Sequence, residues 1–240
     1  LLRVTGNRPD TGMGACKILV HEDPTRIDKA GHLIYLDGQN RGRGTGEADW
    51  GQFDRLEETA WPDGCAAMYR KDMLEAIGGF DEDFFAYADD AELGLRARIA
   101  GFRCLYVPTA IAYHHHGSTL GRFSPQRMIL IERNRLWLAA KLFPWRLLIL
   151  NPLYFLLRVG AGAFGLMVNR GETARFTGAA GFFVLVRCVF AANLAAWRGL
   201  PRMLGKRREV ARLRRLSASE ICALLRRFRI PLRDLALKNA

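Results

Sequence analysis

The chain changes character near residue 125, and this change limits the folds that it can adopt. Residues 1–120 carry 13 basic and 19 acidic side chains, a net charge of −6, whereas residues 121–240 carry 23 basic and 5 acidic ones, a net of +18. The second half also holds two long apolar stretches, residues 147–168 and 178–197. This division predicts a polar domain followed by an apolar and basic helical region.

Short strand and helix patterns alternate in the first part, which predicts an α/β layer. The strand candidates are residues 17–20, 32–36, 64–70, 103–107 and 110–113. One helix is predicted over 71–77, and a second begins at Asp89 and stops at Gly101. Asp89 followed by Glu92 also has the spacing of a capping box at the start of that second helix.

Each apolar stretch in the second part is long enough to cross a bilayer as a helix. Arg158 and Arg187 lie inside them, and a charge costs about 2.5–3.5 kcal/mol at the centre of a spanning helix. Two alternatives therefore stay open: a membrane hairpin, or helices that lie in the interface or pack on the first domain. Because the basic residues flank apolar runs, we expect an anionic membrane as partner and no nucleic acid.

These patterns divide the chain into three parts. Residues 1–125 form the α/β part, residues 126–205 an apolar helical region that could be a membrane hairpin, and residues 206–240 a basic amphipathic tail. Ser217 and Glu220 have the spacing of a capping box and predict a helix in the tail. The five cysteines are scattered without metal-binding spacing, which favours reduced thiols in the cytosol.

An acidic and aromatic cluster is the strongest sign of a functional site. Six carboxylates fall between Asp81 and Glu92, interleaved with Phe80, Phe84, Phe85 and Tyr87. Carboxylates held against aromatic walls are typical of a cleft in which burial tunes them for proton transfer or cation binding. Three consecutive histidines, residues 114–116, follow about twenty positions later.

Several motifs occur in a fixed order: Gly64-Cys-Ala-Ala-Met-Tyr-Arg70, Gly78-Gly-Phe-Asp-Glu-Asp-Phe-Phe-Ala-Tyr87, Asp89-Asp90-Ala-Glu-Leu93, Arg96-Ala-Arg98, Gly101-Phe-Arg-Cys-Leu-Tyr-Val-Pro108 and His114. This order resembles the C-terminal half of family 2 glycosyltransferases, in particular the rhamnosyltransferase-type enzymes of bacterial cell-surface polysaccharide synthesis. The resemblance covers about residues 10–140. It implies a GT-A fold, in which a Rossmann-like nucleotide-sugar half precedes an acceptor-binding half, and transfer with inversion at the anomeric carbon.

The resemblance assigns Asp90 as the catalytic base, although Asp89-Asp90 stands where the family usually has Glu-Asp. An inverting transfer needs one ionised carboxylate to accept the proton of the attacking hydroxyl. The first turn of a helix also favours the ionised form of a carboxyl group. The other candidates for substrate binding are Asp81, Asp83, Asp89, Glu92, Tyr87, Gly64 and Arg70, with helix capping as the alternative for Asp89 and Glu92.

His114 corresponds to the family's histidine after the last strand, which in some members helps to bind the divalent metal on the diphosphate, whereas His115 and His116 have no counterpart. The family's nucleotide-binding N-terminal half, with its Asp-x-Asp metal ligands, has no counterpart before residue 10. The resemblance therefore implies a partial domain that is poorly active by itself. Its Mg²⁺ or Mn²⁺ is then held mostly by residues missing from this chain.

The expected partners are a nucleotide-sugar donor, a lipid-linked or polysaccharide acceptor and an anionic membrane, with rhamnose as one sugar to consider. The expected location is the cytoplasmic face of the bacterial inner membrane. The motif of processive synthases is absent, which favours transfer of a single sugar. Two alternatives stay open: a metal-dependent hydrolase that uses the Asp and His residues, and a non-catalytic membrane-associated adaptor.

Overall fold

The computed structural model describes residues 1–6, 8–115, 124–171 and 178–238, and His116 lies outside these ranges. The strands are β1 (Thr11–Val20), β2 (Ile27–Lys29), β3 (His32–Ile34), β4 (Asn40–Gly42), β5 (Glu57–Thr59), β6 (Ala67–Tyr69) and β7 (Arg103–His114). The helices are α1 (Leu2–Thr5), α2 (Lys71–Ile77), α3 (Asp89–Ile99), α4 (Pro125–Leu142), α5 (Trp145–Met167), α6 (Gly178–Leu213), α7 (Ala218–Arg227) and α8 (Leu232–Leu237), with a 3₁₀ turn at Glu82–Phe84.

A mixed five-stranded sheet forms the centre of the first part. Its two long strands, β1 and β7, run parallel, and β2, β5 and β6 pair with them in antiparallel orientation. Strands β3 and β4 form a separate antiparallel pair. The predicted α/β architecture is confirmed at this level. The carboxyl ends of β1 and β7 meet at Val20 and His114, the edge where open α/β sheets place their ligands.

The two strands predicted over 103–107 and 110–113 are one strand, so their separation was wrong. Val107 pairs with Cys16 and Ile111 with Lys17, which leaves the residues between Val107 and Ile111 looped out. Pro108 has no N–H to give to a ladder, and a bulge is how a strand accommodates such a residue. The strand therefore continues past the proline to His114.

Helix α3 is the buried centre of this part, and all residues from Ala91 to Ile99 are buried. It begins at Asp89 as predicted, but its N-cap is Ala88, and Glu92 makes no capping bond. The predicted capping box is therefore wrong. Glu92 is fully buried and bonds Arg96 and Lys141 instead, because a buried carboxylate needs cationic partners.

Within the helical region, α4 packs closely against α6. The indole of Trp137 on α4 donates a hydrogen bond to the carbonyl of Ala196 on α6, 3.0 Å away. A Cβ at Gly199 would come within 2.3 Å of the Trp137 ring, so only glycine allows this approach of the two helices.

The predicted boundary between the apolar region and the tail is not seen, because helix α6 runs without a break across residue 205. The predicted capping box at Ser217 and Glu220, which opens α7, is confirmed.

Helix α5 is fixed to the domain by a buried ion-pair network. Arg158 contacts Glu132 through two bonds of 2.8 and 2.7 Å and Asp37 through one of 2.6 Å. Arg135 bonds Glu132 at 3.1 Å and donates to the Asp37 carbonyl at 2.9 Å, where Asn151 also donates. Two arginines thus balance two carboxylates, which is what makes their burial tolerable.

Two helical segments pass a length and hydropathy test for membrane spans: Trp145–Met167, which is α5, and Phe183–Leu213 within α6. In the most apolar 18 residues of each segment, only 11% (first segment) and 17% (second segment) are buried in the protein. Both segments therefore present a large apolar surface to the outside.

Candidate active site

Asp90 lies in the first turn of α3, against the loop that follows β5. Its Oδ2 accepts a hydrogen bond from the N–H of Gly64 at 3.0 Å, and its Oδ1 accepts one from the N–H of Ala91 at 2.7 Å. Gly94 makes this approach possible, because a Cβ there would come within 2.2 Å of the Trp61 side chain. The side chain of Asp90 is only 13% exposed. The backbone thus fixes one carboxylate at a partly open position.

His32 and Asp63, which the motifs did not single out, lie beside Asp90, and Lys29 contacts Asp63. The Nε2 atom of His32 is 2.9 Å from Asp63 Oδ2 and 3.7 Å from Asp90 Oδ2. Lys29 Nζ lies 2.6 Å from Asp63 Oδ2. His32, Asp63 and Asp90 have the residue types of a metal site, with ligand atoms within 4.8 Å of one another. Lys29 already supplies a cation to Asp63, so the group is an ion-pair network as it stands.

The three carboxyl groups of this region differ in their pKa values. Burial raises the pKa of Asp90; His32 opposes the rise and the charge of Asp63 adds to it. Burial and then the charge of Asp90 raise the pKa of Asp89 to about 6. Burial also acts against the ionised form of Asp63, but the bond from His32 and the charge of Lys29 hold its pKa far below the usual range. The surroundings therefore favour the ionised form of Asp63, whereas they favour the protonated form of Asp90.

His114 is connected to the same network from the end of β7. Its Nδ1 atom lies 2.7 Å from the Oδ2 of Asp28, and Lys29 Nζ lies 3.9 Å from that oxygen. Asp28 is completely buried, whereas His114 is 27% exposed. A histidine whose Nδ1 is held by a carboxylate is oriented to coordinate a metal through Nε2. The geometry of His114 therefore fits the ligand role that the family resemblance implies.

An exposed group lies next to His114 at the same edge of the sheet. The Nδ1 of His115 is 2.5 Å from Glu22 Oε1, and its ring stacks on that of His21 at a centroid distance of 4.1 Å. These three side chains also bring possible ligand atoms within 4.8 Å of one another. The edge formed by the carboxyl ends of β1 and β7 is thus rich in nitrogen and oxygen ligands.

The loop before α3 holds an unusual backbone conformation. Phe85, Tyr87 and Ala88 have φ angles of 60°, 67° and 59°, which are costly for residues with a Cβ. Asn134 on α4 is fully buried, and its amide nitrogen lies 2.9, 2.8 and 2.6 Å from the carbonyl oxygens of Phe84, Ala86 and Tyr87. Asn134 therefore stabilises the strained loop that leads into Asp90.

Several predicted substrate-binding residues lie away from this network and are paired with helices. Asp81 bonds Lys141 at 2.7 Å and also contacts Lys206, and these two cations lower its pKa to about 2 although burial acts to raise it. Asp83 lies 2.7 Å from both Arg202 and Lys206. These carboxylates join the loop to α4 and α6, and a role for them in substrate binding stays a prediction.

Some of the other predicted residues lie beside Asp90 and some lie away from it. Gly64 contacts Asp90 directly, and Asp89 adjoins it, whereas the side chain of Glu92 is taken up inside the core. Arg70 pairs with Asp72 on the exposed start of α2, and Tyr87 lies under the guanidinium of Arg127 at 5.4 Å. The aromatic wall predicted from the sequence is also divided, since Phe84 is fully buried and Phe85 is 75% exposed.

Residues 47–129 match the family model described as "Glycosyltransferase like family 2". The chain is similar to the N-acetylglucosaminyl-diphospho-decaprenol L-rhamnosyltransferase of Mycobacterium tuberculosis, with 37% identity over 29% of this chain and 24% of the relative. It is similar to the Escherichia coli rhamnosyltransferase WbbL, with 40% identity over 23% of this chain and 22% of the relative. It is also similar to the O-antigen biosynthesis protein RfbC of Myxococcus xanthus, with 25% identity over 58% of this chain and 11% of the relative.

These matches confirm the resemblance to family 2 glycosyltransferases of the rhamnosyltransferase type. The chain spans about a quarter or less of the length of each of these curated relatives. The family match includes Gly64, Asp90 and His114, and therefore most of the site described above. His32 and Lys29 lie before the matched residues.

Proposed function

We propose that this chain carries the acceptor-side half of an inverting glycosyltransferase site, with Asp90 as the general base. The observation that supports this most is the setting of Asp90, a carboxylate fixed by the N–H of Gly64 and kept at a raised pKa by burial. A base works best when its pKa is near the working pH, and an ordinary surface aspartate is too weak a base for this. Gly64 and Cys65, which adjoin this carboxylate or its partner Asp63, are exposed residues, so a substrate could approach Asp90 from their side.

In the proposed reaction the oxygen of an acceptor hydroxyl attacks the anomeric carbon of the donor sugar. The bond between that carbon and the diphosphate oxygen breaks, and the nucleoside diphosphate leaves with the electron pair. Asp90 takes the hydroxyl proton as the new glycosidic bond forms. The Gly64 N–H holds the Oδ2 atom of Asp90, so the carboxylate needs little reorganisation during the reaction.

A divalent metal fits the edge of the sheet at His114. Asp28 orients this imidazole, and neutral imidazole suits Mn²⁺ better than Mg²⁺. When bound, such a metal would neutralise charge on the leaving diphosphate. Lys29 and Asp28 connect this edge to the carboxylates around Asp90, so the two ends of the proposed site belong to one charge network.

The printed names of two relatives suggest the substrates to test first. They are rhamnosyltransferases, and one name describes an acceptor in which N-acetylglucosamine is linked through a diphosphate to a polyprenol. We infer that this protein transfers a sugar, with rhamnose as the first candidate, to a sugar on a lipid diphosphate. The test incubates the full-length natural protein with Mn²⁺, a polyprenyl-diphosphate acceptor and a series of nucleotide-activated sugars.

Labelled sugar should appear in the lipid fraction, and nuclear magnetic resonance should show an anomeric configuration opposite to that of the donor. Release of free sugar without transfer, or hydrolysis of simple phosphate esters, would favour a metal-dependent hydrolase instead. Binding of membranes with no reaction on any donor would favour a non-catalytic adaptor.

We infer also that α5 and α6 attach the protein to an anionic membrane surface and lie along it. Leu147, Asn151, Arg158 and Gly165 form one stripe of α5 that faces the rest of the protein, Gly165 against Ala236 of α8, and its ends are about 27 Å apart at 1.5 Å per residue. A helix held by the rest of the protein at both ends and in the middle does not cross a bilayer in that position. Its opposite face exposes a series of large apolar side chains: Ile149, Leu153, Leu156, Val159, Phe164 and Met167.

The basic charge of this region favours an anionic surface as the partner. Arg146 near the start of α5 and Arg187 and Arg198 on α6 are exposed, next to apolar residues such as Trp197 and Phe190. Each arginine near an anionic surface contributes about 1 kcal/mol, and each buried apolar side chain adds to it. The acceptor named for one relative is itself linked to a lipid, which makes this location useful for the proposed reaction.

Replacing Leu153 and Leu156 together with glutamate is expected to weaken binding to phosphatidylcholine–phosphatidylglycerol vesicles by tenfold or more, on the order of 1.5–3 kcal/mol per lost apolar contact. Vesicle flotation measures the bound fraction. Leu56→Glu is the matched control, because Leu56 is 47% exposed on the sheet domain and should not affect flotation. Protein that stays bound after an alkaline carbonate wash would indicate spanning helices and contradict the surface orientation.

A further inference from the structure

His32 lies at the centre of the buried charges that surround the proposed base. It is 4% exposed, and its ring is nearly parallel to that of Trp61, with centroids 6.1 Å apart and an interplanar angle of 20°. The single atom Nε2 faces two carboxylates, Asp63 at 2.9 Å and Asp90 at 3.7 Å. Nothing in the family motifs quoted above includes this histidine.

The charges around His32 come from several elements. Asp63, in the loop after β5, is bonded by Lys29 from β2 and accepts the N–H of Cys65 at 3.0 Å. Asp28 lies behind Lys29. On the side of Asp90, the groups are Asp89 in the same helical turn and the phenol of Tyr69, whose pKa rises through burial and then through the charge of Asp90. Burial and the charge of Asp63 therefore oppose the ionised form of Asp90.

His32 acts in the opposite direction. An imidazole N–H or imidazolium directed at a carboxylate stabilises the ionised form of that carboxylate. The Nε2 atom is hydrogen-bonded to Asp63 at 2.9 Å, and the Asp90 Oδ2 atom lies 3.7 Å from it, close enough to feel the positive end of the same N–H. The other ring atom, Nδ1, is buried and has no hydrogen-bond partner among the described residues. A buried histidine with one unsatisfied nitrogen is costly, and such groups are typical of functional positions.

We propose that His32 is a positioning residue for Asp90: its Nε2–H, shared with Asp63, orients the Asp90 carboxylate and favours its ionised form. The inference rests on the proposed function, because it assigns His32 a part in setting the base of that reaction. His32 does not contact the substrate in this role. Asp63 holds the imidazole in place through its bond with Nε2, and Lys29 in turn holds Asp63.

The test compares the pH dependence of kcat and kcat/KM for the full-length protein with that of His32→Phe and His32→Gln. Phenylalanine keeps a flat ring against Trp61 but has no N–H donor. The acid limb of its kcat/KM profile should move to higher pH, with activity at least about tenfold lower on that limb. Glutamine keeps a neutral N–H donor near the same place, so the acid limb of the His32→Gln profile should lie between those of the wild type and His32→Phe. Most of the effect should appear in kcat, since KM reports contacts to the substrate.

Each outcome separates this inference from the function on which it rests. Normal turnover by Asp90→Asn would remove the proposed function itself. Loss of turnover in Asp90→Asn, with unshifted acid limbs in both His32 variants, would overturn the role of His32 alone. An equal drop in kcat at every pH would assign His32 to stability only, and thermal unfolding would check this. If the phenylalanine variant does not fold, the shift in the glutamine variant decides.

Discussion

Replacing Asp90 with asparagine in the full-length protein is expected to lower kcat by about 10²–10⁴-fold, the usual contribution of a positioned general base. The amide has nearly the same shape as the carboxylate and keeps an oxygen to accept the N–H of Gly64. It has no basic site that can take the hydroxyl proton, so the chemical step should fail while substrate binding and KM change little. Steady-state transfer kinetics measure both values.

The sign of the pKa shift predicts that this variant stays folded. Burial raises the pKa of Asp90 in the folded protein, so its effect on stability is favourable below the unfolded pKa and is lost as the pH rises through the folded pKa. At neutral pH the ionised carboxylate therefore weakens the fold, which offsets the loss of the bond from the Ala91 N–H that the amide NH₂ cannot accept, so the variant should lose no more than about 1 kcal/mol of stability. Thermal unfolding above pH 7 tests this separately from activity.

A surface variant provides the control for Asp90→Asn. Glu75 lies on α2, is 65% exposed and, among the described residues, pairs only with the exposed Lys71, so Glu75→Gln makes the same chemical change away from the site. Glu75→Gln should retain full turnover. Unchanged turnover in Asp90→Asn would contradict the assignment of the base. An equal loss of turnover in both variants would indicate that the purified variants are partly misfolded or inactive for reasons unrelated to the site.

The sequence could single out Asp90, Gly64 and His114 as candidates, because their motifs are local and occur in a known order; their roles stay predictions. It could not predict His32 and Asp63, which are 31 positions apart and meet because the fold brings β3 and the loop after β5 together beside the start of α3. The same limit explains Asp81 and Asp83. Their acidic and aromatic surroundings are typical of a cleft, but one partner of Asp81, Lys206, lies 125 positions away on α6.

The location of α5 shows a second limit of sequence reasoning. Its length and apolarity fit a spanning helix and an interfacial helix equally well, and Arg158 is unfavourable in both until a partner is known. The structure supplies the partners, Glu132 on α4 and Asp37 after β3, both of them in the part that precedes α5. Which face of such a helix is already bonded to its own domain cannot be read from its composition.

Replacing Arg158 with methionine is therefore expected to lower the free energy of unfolding by about 3–5 kcal/mol, the usual cost of leaving a buried charge without its partner. Methionine retains most of the apolar length of the side chain but none of the charge. Asp37 and Glu132 would then share Arg135 as their remaining cation within the network. Denaturant unfolding should show a lower midpoint with an unchanged slope.

The matched controls separate burial from charge. Lys71→Met removes one member of the exposed Lys71–Glu75 pair, whose distance is 3.5 Å, and should cost less than about 1 kcal/mol. The double variant Arg158→Met, Glu132→Gln restores the charge balance and should be less destabilised than the sum of its single variants. If Arg158→Met costs no more than Lys71→Met, the network does not hold α5 on the domain.

The pH dependence of the same measurement provides an independent check on this network. Burial raises the pKa of Glu132, but the charges of Arg158 and Arg135 outweigh it and lower that pKa to about 2 from 4.5. Its contribution is therefore present above pH 4.5 and is lost as the pH falls towards 2. The stability difference between wild type and Arg158→Met should accordingly shrink over this range. A difference that stays constant down to pH 2 would mean that Arg158 stabilises the fold by packing, and not through its charge.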